Sequence, residues 1–556
     1  MRRPLVACAL LLAIYGGLSF LNDPHAFLGT DTGGKVATLK VMTGRHRLDP
    51  DIGYWAARWD PKGRVHPLYY TSRIGRRWVN ATTLPVLYAA YPLYALGGYR
   101  LALLLPMLGS VLAALAARAL ARRLTGGDGW SAFWLVGLAS PLTIYALDFW
   151  EHSLGVAAMA WAVVALVDAL AGDGRRRLVA FLGAGALFGS AATMRTEALV
   201  YAFVAVGGAC ILLVARRRIV AAVTGGAVAV AGFIAPLAVN YWIEVASVGE
   251  PIRFLRATGT AVAAVGGATS VQGGAAGNRL QEALLNAVGL IPAMEPTSYV
   301  VGLALLGLLV FACRRTTGTG ENGPAVVAAA GVVALYLIRS ADGPGFVPSL
   351  VAATPLAVAG LVHGWSTVTS RYLLVVGLAA LPLVWATQFQ GGAAPQWAGR
   401  YLLVSGLLFA VAGVAVLPRL RSWARRGLIG LAVTVTTFGF AWMVIRTHTV
   451  GHASAELSRR PEPVLISRVG HLAREAGAFY GDHLWLTAPS DADQRFAADV
   501  VAQAGFRRLA IVQVTVDLKL TPIPGWRYVG RDHLELVPGL GLTVATYEAT
   551  SGTGSP

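Results

Sequence analysis

The chain has 556 residues, of which 56% are hydrophobic and only 13% charged, and its mean hydropathy is +0.59. Soluble domains usually carry about 25% charged residues, so a wholly water-borne globule is excluded and most of the chain belongs in lipid. The formal net charge of +18 would suit nucleic acid, but much of the excess lies in short Arg clusters between apolar segments. That is the mark of cytoplasmic loops, and no nucleic-acid partner is expected.

Arg2 and Arg3 precede the apolar run Leu5 to Leu21, which ends in Asn22, Asp23 and Pro24 with no small-x-small cleavage site. This reads as an uncleaved signal anchor with its N-terminus inside. Further spans of the roughly 20 residues that a bilayer demands are expected near 101–121, 130–147, 153–171, 178–194, 198–214, 219–242, 298–313, 324–339, 346–363, 372–388, 401–417 and 427–446. The fold class is therefore an α-helical polytopic membrane protein of about 13 transmembrane helices. Segment 81–99 is apolar but broken by Pro85 and Pro92, so it reads as interfacial or re-entrant helix. Cys8, Cys210 and Cys313 fall in or beside apolar runs with no paired spacing, which gives neither a disulfide framework nor a zinc site.

With the first span leading out, alternation puts Arg118, Arg122 and Arg123, Arg175 to Arg177, Arg216 to Arg218, Arg314 and Arg315, Arg371, and Arg419 to Arg426 on one side. One missed span would scatter the later clusters, so their agreement supports a cytoplasmic N-terminus in a multi-pass cell-membrane protein. Four outer loops follow: 22–80, the short stretch 148–152, about 243–297, and 390–401. Beyond about residue 450 the composition changes. Val464–Ser467, Leu484–Thr487 and Leu509–Val516 read as strands, and so do segments near His533–Val537 and Leu542–Tyr547; His471–Ala476 and Asp491–Ala504 read as helices. Residues 1–446 are thus expected as the membrane domain and 447–556 as a small extracytoplasmic α/β domain with a flexible tail. No Gly-rich phosphate loop follows its first strand, and a structural or docking module is the reading for it.

Asp31 follows the first span within Phe27-Leu28-Gly29-Thr30-Asp31-Thr32-Gly33-Gly34-Lys35. A carboxylate at the outer interface can take a proton from a substrate hydroxyl, and the glycines would let a ligand approach the backbone. The alternative is an N-cap, with Asp31 or Thr32 starting a helix through Val36 to Met42. Asp148, Glu151 and His152 flank Phe149 and Trp150; on a helix, i, i+3 and i+4 would share a face. Such a trio at a membrane interface could position an acceptor sugar, tune a base or hold a divalent cation. Arg195 and Glu197 lie between two spans on the outer side, so Arg195 either pairs with Glu197 or meets a phosphate. Arg400 stands beside Trp397 and Tyr401 and poses the same choice. The basic and aromatic residues of loop 22–80, Lys35 among them, would suit lipid-phosphate headgroups and stacked sugar rings, with some as interfacial anchors.

Taken together, the acid after the first span, the aromatic-acidic-His second loop, the Arg195-x-Glu197 pair and the outer tail resemble the GT-C superfamily of membrane glycosyltransferases. The stretch Gly391-Gly392 through Pro395-Gln396-Trp397 to Arg400-Tyr401 resembles a motif of actinobacterial members. The likeness covers residues 1 to about 446 in architecture, and its motifs are short. It implies a polyprenyl-phosphate-linked sugar as donor and transfer outside the cytoplasm with inversion. The acceptor would be an envelope glycan, glycolipid or protein, and membrane lipids would surround the enzyme. By that resemblance Asp31 is the general base, Asp148 and Glu151 are second-loop acids near the acceptor, and His152, Lys35, Arg195, Glu197 and Arg400 line the substrates. Many relatives have paired acids near the first position, whereas Thr32 follows Asp31 here, so the resemblance assigns no metal ligand and leaves a divalent cation open. A transporter or flippase of lipid-linked glycans is the alternative, although its usual mid-helix charges and repeated halves are not seen in the sequence. A scaffold recruiting envelope enzymes is the third reading.

Overall fold

The computed structural model describes residues 2–68, 70–80, 83–252, 307, 310, 349–387, 397–515, 522–537 and 540–550. In chain order these give α1 (Arg2–Ser19), α2 (Thr30–Gly44), the hairpin β1 (Thr71–Ile74) and β2 (Arg77–Asn80), α3 (Leu84–Ala102) and α4 (Leu104–Thr125). Then come α5 (Trp130–Leu138), α6 (Leu142–Ala146), α7 (His152–Ala171), α8 (Gly174–Met194), α9 (Glu197–Ala215) and α10 (Ile219–Val248). After the next described stretch begins, α11 (Leu350–Ala353), α12 (Pro355–His363), α13 (Val368–Thr387), α14 (Leu403–Val416) and α15 (Ser422–Ser458) follow. The last part holds β3 (Val464–Ser467), α16 (Leu472–Glu475), β4 (Leu484–Thr487), α17 (Asp491–Gln503), β5 (Arg508–Val514), β6 (Trp526–Val537) and β7 (Leu540–Ala549). The protein is a helical, polytopic membrane protein with a small sheet region toward its C-terminus.

Eight of the described helices are long and apolar enough to cross a membrane: α4, α7, α8, α9, α10, α13, α14 with its flanking turns, and α15. They answer to eight of the thirteen expected segments. The first, α1, is shorter and apolar. Expected segment 130–147 is not one helix, because Ser140 and Pro141 break it into α5 and α6. Thr354 and Pro355 likewise divide α11 from α12 within 346–363. Proline removes an amide and clashes with the preceding turn, so a new helix begins at it, with Pro141 as the N-cap of α6 and Pro355 as the first residue of α12. Segment 324–339, all of 298–313 but residues 307 and 310, nearly all of loop 243–297, and Gly391 to Gln396 lie outside the described residues. Segment 81–99, expected as interfacial or re-entrant, becomes α3, which kinks at Gly97 and Gly98 and is not among the eight.

Packing divides the chain into two units. The first comprises residues 1–19, 103–240 and 271–442, and the second 20–102, 241–270 and 443–556. Within the first unit, α7 packs on α8 and α4, and α12 packs on α14. Without a hydrophobic drive between helices in lipid, close backbone approach is the main attraction, and small residues allow it. Gly185 and Gly189, one turn apart on α8, face the Ala229 and Phe233 carbonyls of α10; a Cβ there would stand 2.0 and 2.3 Å from those oxygens.

Within the second unit the sheet order is β4-β3-β5-β7-β6. β3 runs parallel to β4 and β5, and β7 runs antiparallel to β5 and β6. The α17 helix starts where the Ser490 hydroxyl accepts the Asp493 amide, a standard cap. Its buried Ala497, Ala498, Val500 and Val501 face the core. That core also holds Ile52, Tyr54, Val65, Leu68 and Trp78 from the first loop, together with Leu465, Ile466 and Val512. The α/β region read at 447–556 therefore shares its apolar interior with residues 22–80. Asp60 pins the loop by accepting from the Tyr54 hydroxyl at 2.9 Å and from the Arg64 and Val65 amides at 3.0 and 2.9 Å.

Buried His66 stacks on Trp78 at 5.2 Å, and its Nδ1 accepts the Leu68 amide. Burial lowers its pKa to about 4. The unfolded chain, with an ordinary value near 6.5, therefore binds more protons between pH 6.5 and 4, and stability falls as pH drops through that window. The shift corresponds to about 3 kcal/mol. We expect tryptophan-monitored unfolding of the purified protein to weaken from pH 7 to pH 4 by that order, and His66→Gln to remove this part of the slope. Equal slopes in the two proteins would refute the assignment.

Candidate functional site

The residues singled out in the sequence fall into two clusters, one in each unit. In the first unit, Glu151 occupies the N-cap position of α7 in an α-helical conformation, and His152 opens the helix. Asp148 lies before the helix, so the expected single helical face for Asp148, Glu151 and His152 is not formed. All three are nonetheless buried. Their surroundings are aromatic: the His152, Tyr145 and Trp150 rings lie 5.0 to 5.2 Å apart. The Tyr145 hydroxyl donates to the Trp397 carbonyl at 2.8 Å, which ties this cluster to the stretch that leads into Arg400.

Arg195 ends α8 in an extended conformation, and its side chain crosses the first turn of α7 where Gly155 leaves room; a Cβ on Gly155 would stand 2.7 Å from Arg195 Cγ. Its Nε donates to Glu197 Oε1 at 2.8 Å and its Nη1 to Glu151 Oε1 at 3.4 Å. Arg195 is thus paired with Glu197, one of the two readings of it, and Glu151 is an unforeseen second carboxylate. The guanidinium carbons of Arg195 and Arg400 each lie 4.9 Å from the Tyr401 ring, a cation–π arrangement with one phenol between two cations. Arg400 is itself buried and begins a short 3-10 turn after Ala398 and Gly399, both at φ +60. A left-handed alanine is uncommon and costs local strain. It turns the chain so that Arg400 and Tyr401 enter the cluster.

In the second unit, Asp31 sits in the first turn of α2, and its carboxylate keeps about 30% of its surface open. The helix indeed runs through Val36 to Met42, but neither Asp31 nor Thr32 caps it: Gly29 holds the N-cap position with no side-chain cap bond. The Asp31 carboxylate instead accepts from Arg474 Nη2 at 3.2 Å, and Arg474 is 1% exposed. Arg474 also stacks on Tyr70 with its guanidinium carbon 5.4 Å from the ring centroid. Tyr70 is held at φ +60, after Ala398 a second non-glycine residue in a strained conformation beside a candidate group.

The glycines after Asp31 serve the chain itself, where an approaching ligand was expected. A Cβ on Gly33 would stand 1.7 Å from the Arg474 carbonyl oxygen, and one on Gly34 3.0 Å from Arg474 Nε. Backbone of α16 occupies the clearance. Arg446 strengthens the same junction, donating to Glu475 Oε1 at 2.9 Å and to the Leu28 carbonyl at 3.2 Å. Lys40 bonds Asp482 and the Ala478 carbonyl, each at 2.9 Å. Lys35, expected at the substrate, is buried on α2.

The rest of loop 22–80 also departs from expectation. Arg45 pairs with Asp51, Arg64 with Asp493 and Arg77 with Asp49. Tyr54 and Trp78 are core residues, while Trp55 and Trp59 pack on the core. These side chains hold the unit together, which leaves them poorly placed to stack sugars. Among the described residues no group of three His, Cys, Asp or Glu comes together to hold a metal ion, so Asp148, Glu151 and His152 do not form a donor set.

Removing Arg195 would leave Glu151 and Glu197 withdrawn from water with no countercharge from that site, a change that typically costs 3–5 kcal/mol. We expect Arg195→Ala to lower the thermal midpoint of the detergent-solubilised protein markedly, and the double variant Arg195→Met with Glu197→Gln to recover part of that loss. A midpoint unchanged in Arg195→Ala would show that the buried pairing is not a stability determinant.

No protein-family model matches the chain, and no curated protein matches it by sequence. Solved structures do resemble it. The apo oligosaccharyltransferase of Archaeoglobus fulgidus aligns over 91% of this chain and 69% of its own at 12% identity, with a TM-score of 0.49. ArnT from Cupriavidus metallidurans, bound to undecaprenyl phosphate, aligns over 97% of both chains at 13% identity with a TM-score of 0.40, and its apo form does so at 14% identity with a TM-score of 0.38.

Proposed function

We propose that the protein is a membrane glycosyltransferase that moves a sugar from a polyprenyl-phosphate donor to an envelope glycan, glycolipid or protein acceptor on the extracytoplasmic face, with inversion. The observation that carries this reading is Asp31: a partly open carboxylate on the first turn of α2, held through one oxygen by an almost fully buried Arg474. A general base must keep its accepting oxygen at a fixed place within hydrogen-bond reach of the proton it takes. A carboxylate anchored on a helix and fixed by a guanidinium meets that requirement better than one on a free loop. The motif likeness in the sequence adds the donor class.

In this mechanism Asp31 takes the proton of the acceptor hydroxyl as that oxygen attacks the anomeric carbon. The bond from that carbon to the phosphate oxygen breaks, and the lipid phosphate leaves with the electron pair. A phosphate leaves without a strong general acid, so one base with cationic support suffices, whereas a glycosidase usually flanks the bond with two carboxyl groups. Arg195 is neutralised by Glu151 and Glu197 and is given a positioning part. Arg400, steadied over Tyr401, is assigned to the leaving phosphate. Asp148, Glu151 and His152 shape the acceptor side. Arg474 is a positioning residue, since it acts through Asp31. The N-terminus is placed in the cytoplasm and residues 447–556 outside the cell membrane.

Broken helices are a hallmark of transporters, and α5/α6 and α11/α12 are broken. They meet around a cavity of only about 10 Å³ lined by Ser140, Leu142, Leu350, Thr354, Gly406 and Leu407. That volume holds about one water and its lining carries no charge, so the breaks do not favour transport of a glycan.

A radiolabelled polyprenyl-phosphate sugar offered to the purified protein tests the reading. Asp31→Asn should reduce transfer by 10²- to 10⁴-fold, of the order that general bases contribute, with membrane insertion intact. Arg474→Lys should lower kcat far more than it raises KM. Full turnover in Asp31→Asn would reject the base assignment, and an equal loss in kcat and gain in KM for Arg474→Lys would reject its positioning role.

A further inference from the structure

Outside both clusters, the first unit carries a groove where α8 begins and α9 turns into α10. α8 starts at Gly174, α9 returns to Ala215, and α10 starts at Ile219, so these ends lie at one face of the helix packing, opposite the Arg195–Glu197 connection. The groove has a volume of about 520 Å³ and is lined by Arg177, Arg217, Arg218, Leu178, Ile219 and Ala221, among others. That size falls within the range of small-molecule and headgroup sites. One wall is aliphatic and the rim is cationic.

The charge at this rim is large and mostly unspent. Residues 173–177 and 216–218 hold six arginines and one acid, Asp173. Two of the six are committed to helix ends: Arg177 donates to the Ala169 and Gly172 carbonyls, and Arg216 to that of Leu170. Arg175, Arg176, Arg217 and Arg218 are exposed, and their guanidiniums make no hydrogen bond or ion pair among the described residues. The nearby Asp168 is occupied by Arg123. Arg217 is moreover held at φ +58 in the tight turn between α9 and α10, a conformation that glycine or asparagine would adopt with less strain. A sequence selected only to carry positive charge on a loop needs neither the strained arginine nor the cavity beside it.

We propose that this groove is a binding site for the headgroup of an anionic glycerophospholipid, separate from the site of sugar transfer. The guanidiniums of Arg217 and Arg218 match the paired oxygens of a phosphodiester, while Leu178, Ile219, Val220 and Ala221 meet the start of the acyl chains. Basic pockets between membrane helices take such headgroups. A phospholipid is favoured over a free phosphate because the groove has a mostly apolar lining and opens at helix ends that meet the membrane surface. In the orientation read from the arginine distribution, that surface is the cytoplasmic leaflet.

Native mass spectrometry of the full-length protein, titrated with phosphatidylglycerol, cardiolipin or phosphatidylcholine, tests this. Wild type should retain the two anionic lipids over phosphatidylcholine, and Arg217→Gln with Arg218→Gln should lower that retention by about 30-fold, since a surface arginine contributes about fivefold and two are removed. Removing charge can disturb insertion, so a second variant, Ala221→Phe, fills the groove and keeps every arginine; it should lose retention to a similar degree. Arg425→Gln with Arg426→Gln removes the same charge elsewhere and should leave retention unchanged. The site is overturned if Ala221→Phe binds as wild type does, or if the distant double variant loses as much as the local one, since either marks diffuse attraction. Displacement of bound lipid by millimolar inorganic phosphate would overturn the lipid as its ligand.

Discussion

Arg474 is withdrawn from water almost entirely, and a guanidinium in that position has to be met by a carboxylate and a π-face or else unfold its surroundings. Asp31 and Tyr70 provide those partners. Because the partners come from residues more than 400 positions away, the requirement fixes where the helix after the first apolar run must lie within its unit. Gly33 then follows as a steric necessity: no side chain fits between α2 and the Arg474 carbonyl. The Arg446 bonds to Leu28 and Glu475 close the same junction from the other side. Electrostatics and backbone clearance thus select one arrangement, in which the most reactive-looking carboxylate of the loop is held and still partly open.

The same constraint operates in the first unit with different members. Arg195 and its two carboxylates are all buried, so none of the three is stable without the others. Such an arrangement contributes little net stability compared with apolar residues of the same size, yet it fixes the relative places of the α6–α7 loop, the α8–α9 connection and, through Tyr401, the turn before α14. Three segments separated by some 250 residues are brought together by one guanidinium. That is how a site can be assembled from the ends of helices whose bodies do no more than span lipid.

Much of this was readable in advance because hydropathy and charge are properties of short windows. Eight helices, the change of composition near 450, and the singling out of Asp31, Asp148, Glu151, Arg195, Glu197 and Arg400 all came from local sequence. What escaped depends on pairing at a distance. Arg474 lies in Leu472–Glu475, four residues with no distinguishing motif, and only its burial beside Asp31 marks it. Gly33 and Gly34 look alike whether they admit a ligand or another stretch of backbone. The assumption that Asp148, Glu151 and His152 lie on one helix failed because α7 starts at His152. The helical breaks at Ser140-Pro141 and Thr354-Pro355 could have been anticipated from the prolines alone.

The first loop illustrates why composition separates what packing joins. Residues 22–80 are polar and basic enough to look like a surface that meets lipid or sugar, while 450–550 reads as an independent α/β fold. Yet a five-stranded sheet has two faces to cover, and α17 and the end of α15 do not fill both. The apolar side chains of Ile52, Tyr54, Val65, Leu68 and Trp78 join its core. With those residues inside, the loop's charged groups are left to bridge to α17 and across the loop itself, as Arg64 does to Asp493 and Arg77 to Asp49. A segment whose aromatic residues build a core cannot also offer them as a stacking platform, and the Asp31 carboxylate of α2 is left partly open on a helix that packing holds in place.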